Sequence, residues 1–393
     1  MPSLLDPPAQ PSLKPRPGRL AALRRAPRAA PSPSNTPFAD GAQAAAPRVA
    51  LGLTVLIPAY NEGKFVADTI RSVQEQSLRP ERIIVVDDCS TDNTGDAARS
   101  CSRPAAEVLV VRPDKNCGSK ASALNYGLTF VHTEFTLAID ADTTLAPDAI
   151  EKLMPGFDDP KVASVCGMVI PRRIKSLWER GRYVEYLYAF TFYKPIQDYF
   201  QRPLIASGCF SAFRTRVLRD LNGWSMRTVG EDMDLTWSIY GLGYGVRFCL
   251  DAVCYPVEPH NFSFLHKQLT RWSAGFVQCV KVHWREALEI PYLRTMVAVG
   301  LWDSVQAIIG LFILIPFLAI FVHPLFLLGY FLDLPVIAVP VLWTARKRGG
   351  LRLAISSLPA FWVMRFVNSY YVLRAYWNEV IIRNRLDKFE KGH

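Results

Sequence analysis

Between residues 51 and 142, short apolar runs alternate with segments of helical spacing, and the runs tend to stop at polar residues. Leu53–Ile57 is a β-branched run that stops at Pro58, and Arg82–Val86 stops at Asp87 and Asp88. Val108–Val111 is a third run, and Phe135–Ile139 stops at Asp140-Ala-Asp142. Helical spacing over 62–77, 92–101 and 119–131 fills the intervals. Strands with no polar alternation are buried on both faces, as in a parallel sheet layered between helices. Such sheets bind ligands at the carboxyl ends of their strands. The pattern therefore predicts an α/β fold, with Tyr60-Asn-Glu62, Asp87-Asp88 and Asp140-Ala-Asp142 converging on one sheet edge.

The rest of the 393-residue chain is more mixed. Val162–Val165 and Gly245–Phe248 read as strands, and 176–200 and 231–241 as helices. Residues 1–48, rich in Pro, Ala and Arg, read as a disordered arm, followed by a catalytic α/β domain over 49–260 and amphipathic interfacial helices over 261–295. Segments 297–322 and 324–343 are each about long enough to cross a bilayer core, so 296–373 is expected to hold two to three transmembrane segments before a basic tail, 374–393. Segment 351–373 carries Arg365 near its centre, which costs about 2.5 kcal/mol or more in a bilayer. Crossing and a re-entrant path both stay open for it.

The net charge of +10 collects in the N-terminal arm and at Arg346-Lys-Arg348. That placement favours an anionic membrane surface over nucleic acid, for which there is no recognition motif. It also puts the catalytic domain on the cytoplasmic side of a cell membrane. The eight scattered cysteines are expected to be reduced.

Several clusters can carry chemistry. Asp140 and Asp142 alternate on a strand end, so both carboxylates can face one divalent ion, Mn2+ or Mg2+, beside a diphosphate; a solvated acidic loop is the plainer alternative. Asp88 can accept a hydrogen bond from a nucleoside, while Asp92 or Ser90 can simply cap the next helix. Lys120, behind a glycine turn, can meet a phosphate or lie on the surface. Glu231 and Asp232 open a helix, where a carboxylate is either a general base or a partner for the helix dipole. Gln268, Arg271 and Trp272 share one broad helical face, suited to a pyrophosphate and a sugar ring or to an interfacial anchor.

With these residues placed, segment 51–290 resembles the family 2 glycosyltransferases of GT-A fold. It is most similar to their membrane-bound processive branch, which includes hyaluronan, cellulose, chitin-oligosaccharide and poly-N-acetylglucosamine synthases. The resemblance implies a Rossmann-like, mostly parallel sheet with helices on both faces, followed by C-terminal transmembrane or interfacial helices. It implies that Pro58, Tyr60, Glu62 and Asp88 frame the nucleotide, that Lys120 and Asp140 lie near the donor, and that Asp142 is the more direct metal ligand. Asp232, beside Glu231, becomes the catalytic base, and Gln268-Leu-Thr-Arg271-Trp272 the Gln-x-x-Arg-Trp signature. The expected donor is a UDP-sugar, with N-acetylglucosamine or another hexose passed to a glycan, lipid or protein acceptor. Gly230 departs from the threonine common before the acidic pair, and no transmembrane segment is expected ahead of the catalytic domain.

Overall fold

A computed structural model describes residues 48–103 and 107–387. The elements run β1 (Arg48–Ala59), α1 (Val66–Gln74), β2 (Leu78–Asp87), α2 (Thr94–Ser100), β3 (Val108–Val111), α3 (Lys120–Leu128), β4 (Phe135–Ile139) and β5 (Thr144–Leu145). They continue as α4 (Ala149–Leu153), β6 (Val162–Val169), α5 (Leu177–Tyr188), α6 (Lys194–Tyr199), β7 (Phe210–Arg214), α7 (Thr215–Asp220), α8 (Glu231–Gly241) and β8 (Gly245–Tyr255). The helices α9 (Phe262–Val282), α10 (Trp284–Glu289), α11 (Pro291–Ile309), α12 (Ile315–Phe321), α13 (Leu334–Lys347) and α14 (Leu351–Tyr376) complete the chain.

The strands form one sheet in the order β3-β2-β1-β4-β7-β6-β8-β5. Neighbouring residues Leu56 and Ile57 of β1 are both fully buried, as are Ile84 and Val85 of β2, so helices cover both faces of the sheet's centre. β1 runs parallel to β2 and β4, β2 to β3, and β6 to β8. The sheet is nevertheless mixed: β7 lies antiparallel between β4 and β6, and β5 lies antiparallel to β8. The sequence reading missed β5 and β7. β5 has only two residues, and Phe210-Ser-Ala-Phe-Arg214 mixes small, polar and aromatic residues without a clean period.

The C-terminal helices differ in detail from the expected pair of spans. The path from Pro291 to Phe321 is helical, with a π-helical stretch at Gly310–Leu314, and Pro324–Phe331 forms a 3-10 helix before α13. Among the described residues, Pro324–Lys347 alone is long and apolar enough to cross a membrane; its most apolar stretch is only 11% buried, so the apolar side chains face outward. The expected tail begins later than residue 374, because α14 runs on to Tyr376 and a π-helical stretch spans Trp377–Ile382. Arg365 of α14 is paired: its guanidinium grips both carboxylate oxygens of Asp333, at 2.9 and 2.7 Å. The disordered arm expected over 1–48 lies outside the described residues except at its last position. All eight cysteines are free thiols.

Candidate active site

Two tight loops build the sheet edge at the carboxyl ends of β1 and β2. Asn61 and Cys89 adopt left-handed backbone conformations at φ 56° and 58°, turning the chain sharply after β1 and β2. The loops are stitched together: Asn61 N–H donates to Ser90 Oγ at 3.0 Å, Thr91 N–H to Asn61 Oδ1 at 2.8 Å, and Glu62 N–H to Thr94 Oγ1 at 2.7 Å. Tyr60 stands exposed, whereas Pro58 is buried and the Glu62 side chain has no exposed surface. Glu62 thus belongs to the foundation of this loop, and Tyr60 to its face.

The acidic residues after β2 divide their work. Asp87 is fully buried and pairs with Arg112 at 2.6 Å. Asp88 accepts the Cys117 N–H at 2.6 Å, which ties the β2 end to the glycine turn ahead of α3. Burial and the Asp88 carboxylate push the Cys117 thiol up to about 12, so that sulfur stays protonated. Neither Asp92 nor Ser90 is the cap of α2: the N-cap position is Asn93, without a side-chain capping bond, and Asp92 lies one residue ahead, accepting from the N–H groups of Gly63 and Thr94 at 3.0 Å each.

The centre of the edge is a charge cluster contributed by α3, β4, α8 and the loop before β7. The Lys120 ammonium contacts Asp140 Oδ1, lies 3.6 Å from Glu231 Oε1, and donates to the Gly208 carbonyl at 3.2 Å. Burial alone would lower its pKa, but Asp140 and Glu231 outweigh that and hold it charged. Gly208 also donates its N–H to Asp232 Oδ2 at 3.0 Å. A Cβ at Gly208 would stand 3.0 Å from that oxygen and 3.2 Å from Lys120 Nζ, so a side chain there would crowd both contacts. Desolvation and the Glu231 charge push Asp232 up to about 6, against the opposing pull of Lys120, the Gly208 N–H and Arg271. That value suits a carboxylate that takes up a proton near neutral pH.

Asp142 follows β4 and is nearly buried beside Thr143, whose hydroxyl donates to it at 3.3 Å. Among the described residues, no group of three or more His, Cys, Asp or Glu side chains could hold a metal by itself. Two carboxylates of hard oxygen character do fit an Mg2+-like ion, which retains waters and takes further oxygens from a bound phosphate. Asp140 and Asp142 would hold such an ion.

The Gln-x-x-Arg-Trp run divides between two environments. Arg271 acts electrostatically on Asp232. Gln268 and Trp272 instead engage Arg182 of α5, which donates to Gln268 Oε1 at 2.9 Å and stacks over the Trp272 ring at 4.6 Å. Arg182 also binds Glu185 at 2.7 Å, and Tyr186 donates to Glu258 at 2.7 Å. Burial raises both the Glu258 carboxyl and the Tyr186 phenol. Sequence reading missed Arg182, Glu258 and Gly208. Each is a lone residue without a motif, and only the fold brings it beside one.

Nothing in the packing requires the departure at Gly230, but it lies against a second glycine. Gly230 and Gly275 of α9 face each other, and a Cβ at Gly275 would lie 3.1 Å from the Gly230 backbone. Close approach of α9 to the start of α8 therefore favours glycine at 275, whereas a Cβ at Gly230 would meet Gly275 at 3.4 Å, an ordinary contact. Behind it, Asp234 is held at about 2: burial opposes ionisation, but hydrogen bonds from His283 and Arg227 dominate. This pairing fastens α8 to the end of α9.

Comparison with known proteins agrees with this geometry. The family model for glycosyl transferase family 2 matches residues 54–221. The poly-beta-1,6-N-acetyl-D-glucosamine synthases of Staphylococcus aureus strain COL and Staphylococcus epidermidis strain ATCC 35984 are each 28% identical over 225 residues, 57% of this chain and 54% of theirs. The match thus spans about half the length of those curated relatives. The structure of mannosyltransferase PcManGT from Pyrobaculum calidifontis, in complex with GDP-Man and Mn2+, superposes with a TM-score of 0.56 at 20% identity, covering 85% of this chain and 88% of that one. The fold is therefore GT-A.

Proposed function

We propose, from the glycosyl transferase family 2 domain that residues 54–221 carry, that this protein is a membrane-anchored inverting glycosyltransferase. Its donor is a nucleotide-sugar, with a UDP-sugar of N-acetylglucosamine or another hexose the first choice, and its acceptor hydroxyl belongs to a growing glycan. The observation that carries this reading is the cluster in which Lys120 joins Asp140 to Glu231 while Gly208 orients Asp232. The names of the curated relatives support the sugar and the glycan acceptor.

In this reading Asp232 takes the proton of the acceptor hydroxyl as its oxygen bonds to the anomeric carbon. The bond from that carbon to the nucleoside diphosphate breaks on the opposite face. Glu231 raises the basicity of Asp232, and backbone donors orient both of its oxygens, the Gly208 N–H on Oδ2 at 3.0 Å and the Met233 N–H on Oδ1 at 2.9 Å, each keeping a further lone pair for a proton. A divalent cation, held by Asp142 and Asp140, would supply charge for the departing diphosphate. Lys120 and Arg271 add fixed positive charge on the same side. Tyr60 and Asp88 frame the nucleotide, and Trp272, propped by Arg182, offers an aromatic face to the acceptor.

Transfer of a single sugar to a lipid or protein is the alternative within this chemistry. A catalytically silent nucleotide-sugar-binding module is the alternative outside it, and the intact acidic pair speaks against that. The test is a screen of nucleotide-sugars with Mn2+ or Mg2+, followed by product-length analysis: a ladder supports glycan extension, one added sugar the single-transfer reading. Asp232→Asn is expected to lose roughly 100-fold to 10,000-fold in turnover while still binding nucleotide. Near-normal turnover in that variant would remove Asp232 from the role of base.

A further inference from the structure

Beyond Ile382 the chain leaves regular structure, and its backbone must find hydrogen-bond partners elsewhere. Here it is clamped. Gln278 of α9 is 4% exposed, and its Nε2 donates to Glu379 Oε1 at 2.7 Å and to the Leu386 carbonyl at 3.0 Å. Glu379 is 2% exposed, and the same Oε1 accepts the Leu386 N–H at 3.0 Å. Both backbone polar groups of Leu386 are thus satisfied by buried side chains. Arg385 adds a hydrogen bond to the Arg227 carbonyl, and Lys281 donates to the Glu379 carbonyl at 3.0 Å.

The clamp has a second end. Gln278 Oε1 accepts the Val229 N–H at 2.9 Å, one residue before Gly230-Glu231-Asp232. One buried amide therefore holds both the loop that delivers the acidic pair and the segment that follows the last helix. The position of that segment gives this a purpose: Arg385, Leu386 and Asp387 form one wall of a cleft whose other walls include Lys120, Met226 and Glu231.

We propose that Arg385–Asp387 is a working wall of the catalytic cleft, and that Gln278 and Glu379 are the positioning residues that hold it in place. This rests on the transferase reading above. With the wall in place, the cleft beside Lys120 and Glu231 is narrowed against bulk water. With it released, water competes with the acceptor: its oxygen bonds to the anomeric carbon, the nucleoside diphosphate leaves, and Asp232 takes the proton, yielding free sugar.

The test uses the full-length protein and measures sugar transfer and donor hydrolysis in parallel, with hydrogen exchange at the Leu386 amide as a readout independent of turnover. Glu379→Ala is expected to speed Leu386 exchange and to raise the hydrolysis-to-transfer ratio roughly tenfold, the scale of one lost buried hydrogen bond. Glu379→Gln keeps an acceptor oxygen and is expected to preserve the ratio. Gln278→Ala is expected to match Glu379→Ala, with the double variant little worse. Arg385 is half-exposed, so Arg385→Ala is expected to fold normally and to shift the ratio in the same direction. Faster exchange with an unchanged ratio would overturn the functional wall, and unchanged exchange would overturn the clamp. If the wild-type protein turned over no nucleotide-sugar while Leu386 exchange still responded, the transferase reading would fail and the clamp would stand.

Discussion

At the scale of single residues, the decisive balance is the one around Asp232. Desolvation and Glu231 raise it to about 6, while Lys120, the Gly208 N–H and Arg271 oppose them. A base works only when deprotonated, so turnover is expected to be flat above about pH 6 and to fall about tenfold per unit below it. Glu231→Gln removes a neighbouring negative charge and is expected to move that midpoint to lower pH. A pH–rate profile of both proteins decides: a midpoint that stays put or rises means that Glu231 does not tune the base. The identities of Asp232, Lys120, Asp140 and Asp142 were legible because each stands in a short run after a strand or at a helix start. Their mutual arrangement was not. Nothing in the spacing from Lys120 to Asp140 to Glu231 announces that one ammonium touches two carboxylate-bearing elements, and Gly208 offers no side chain to notice.

At the scale of elements, apolar helices can be located by composition, but how they tolerate charge depends on pairing. Arg365 looked costly in the middle of 351–373 because its partner lies 32 positions upstream in the sequence. The bidentate grip by Asp333 turns a lone cation into an ion pair, for which removal of one member costs more than removal of both. Asp333→Leu is accordingly expected to lower thermal stability in detergent more than Asp333→Leu combined with Arg365→Leu. Equal losses in the single and double variants would mean that the pair contributes nothing. The Gln-x-x-Arg-Trp helix carries the same lesson. Its residues were recognisable as a set, yet Arg271 acts on the acidic pair while Gln268 and Trp272 lean on Arg182.

At the scale of the whole molecule, the sheet edge gathers Lys120, Asp140, Glu231 and Asp232, while the C-terminal part adds Arg271, a cleft wall and an outward apolar surface. The exposed stretch of Pro324–Lys347 leads to the expectation that the full chain floats with liposomes in a density gradient and resists extraction by alkaline carbonate. Recovery in the soluble fraction would remove the anchor from the proposal. The β1-to-β4 half of the sheet was readable from sequence because its strands carry uninterrupted apolar runs, buried on both sides in β1, β2 and β4 and partly buried in the edge strand β3. The remainder was harder because β7 pairs with β4 and β6 by insertion between them, a choice made by tertiary packing and carried by five residues of mixed character.

That insertion also sets an order of assembly. Strands β1 to β4 come from residues 48–139 and can pair as soon as they leave the ribosome, so the loops bearing Tyr60, Asp88 and Asp140 take shape early. Gly208, just ahead of β7, arrives only after about 70 further residues have been synthesised, and Asp232 after about 90. The residues proposed to meet the nucleotide are thus synthesised before the proposed base, so a truncation after β4 would carry the first set and lack the second.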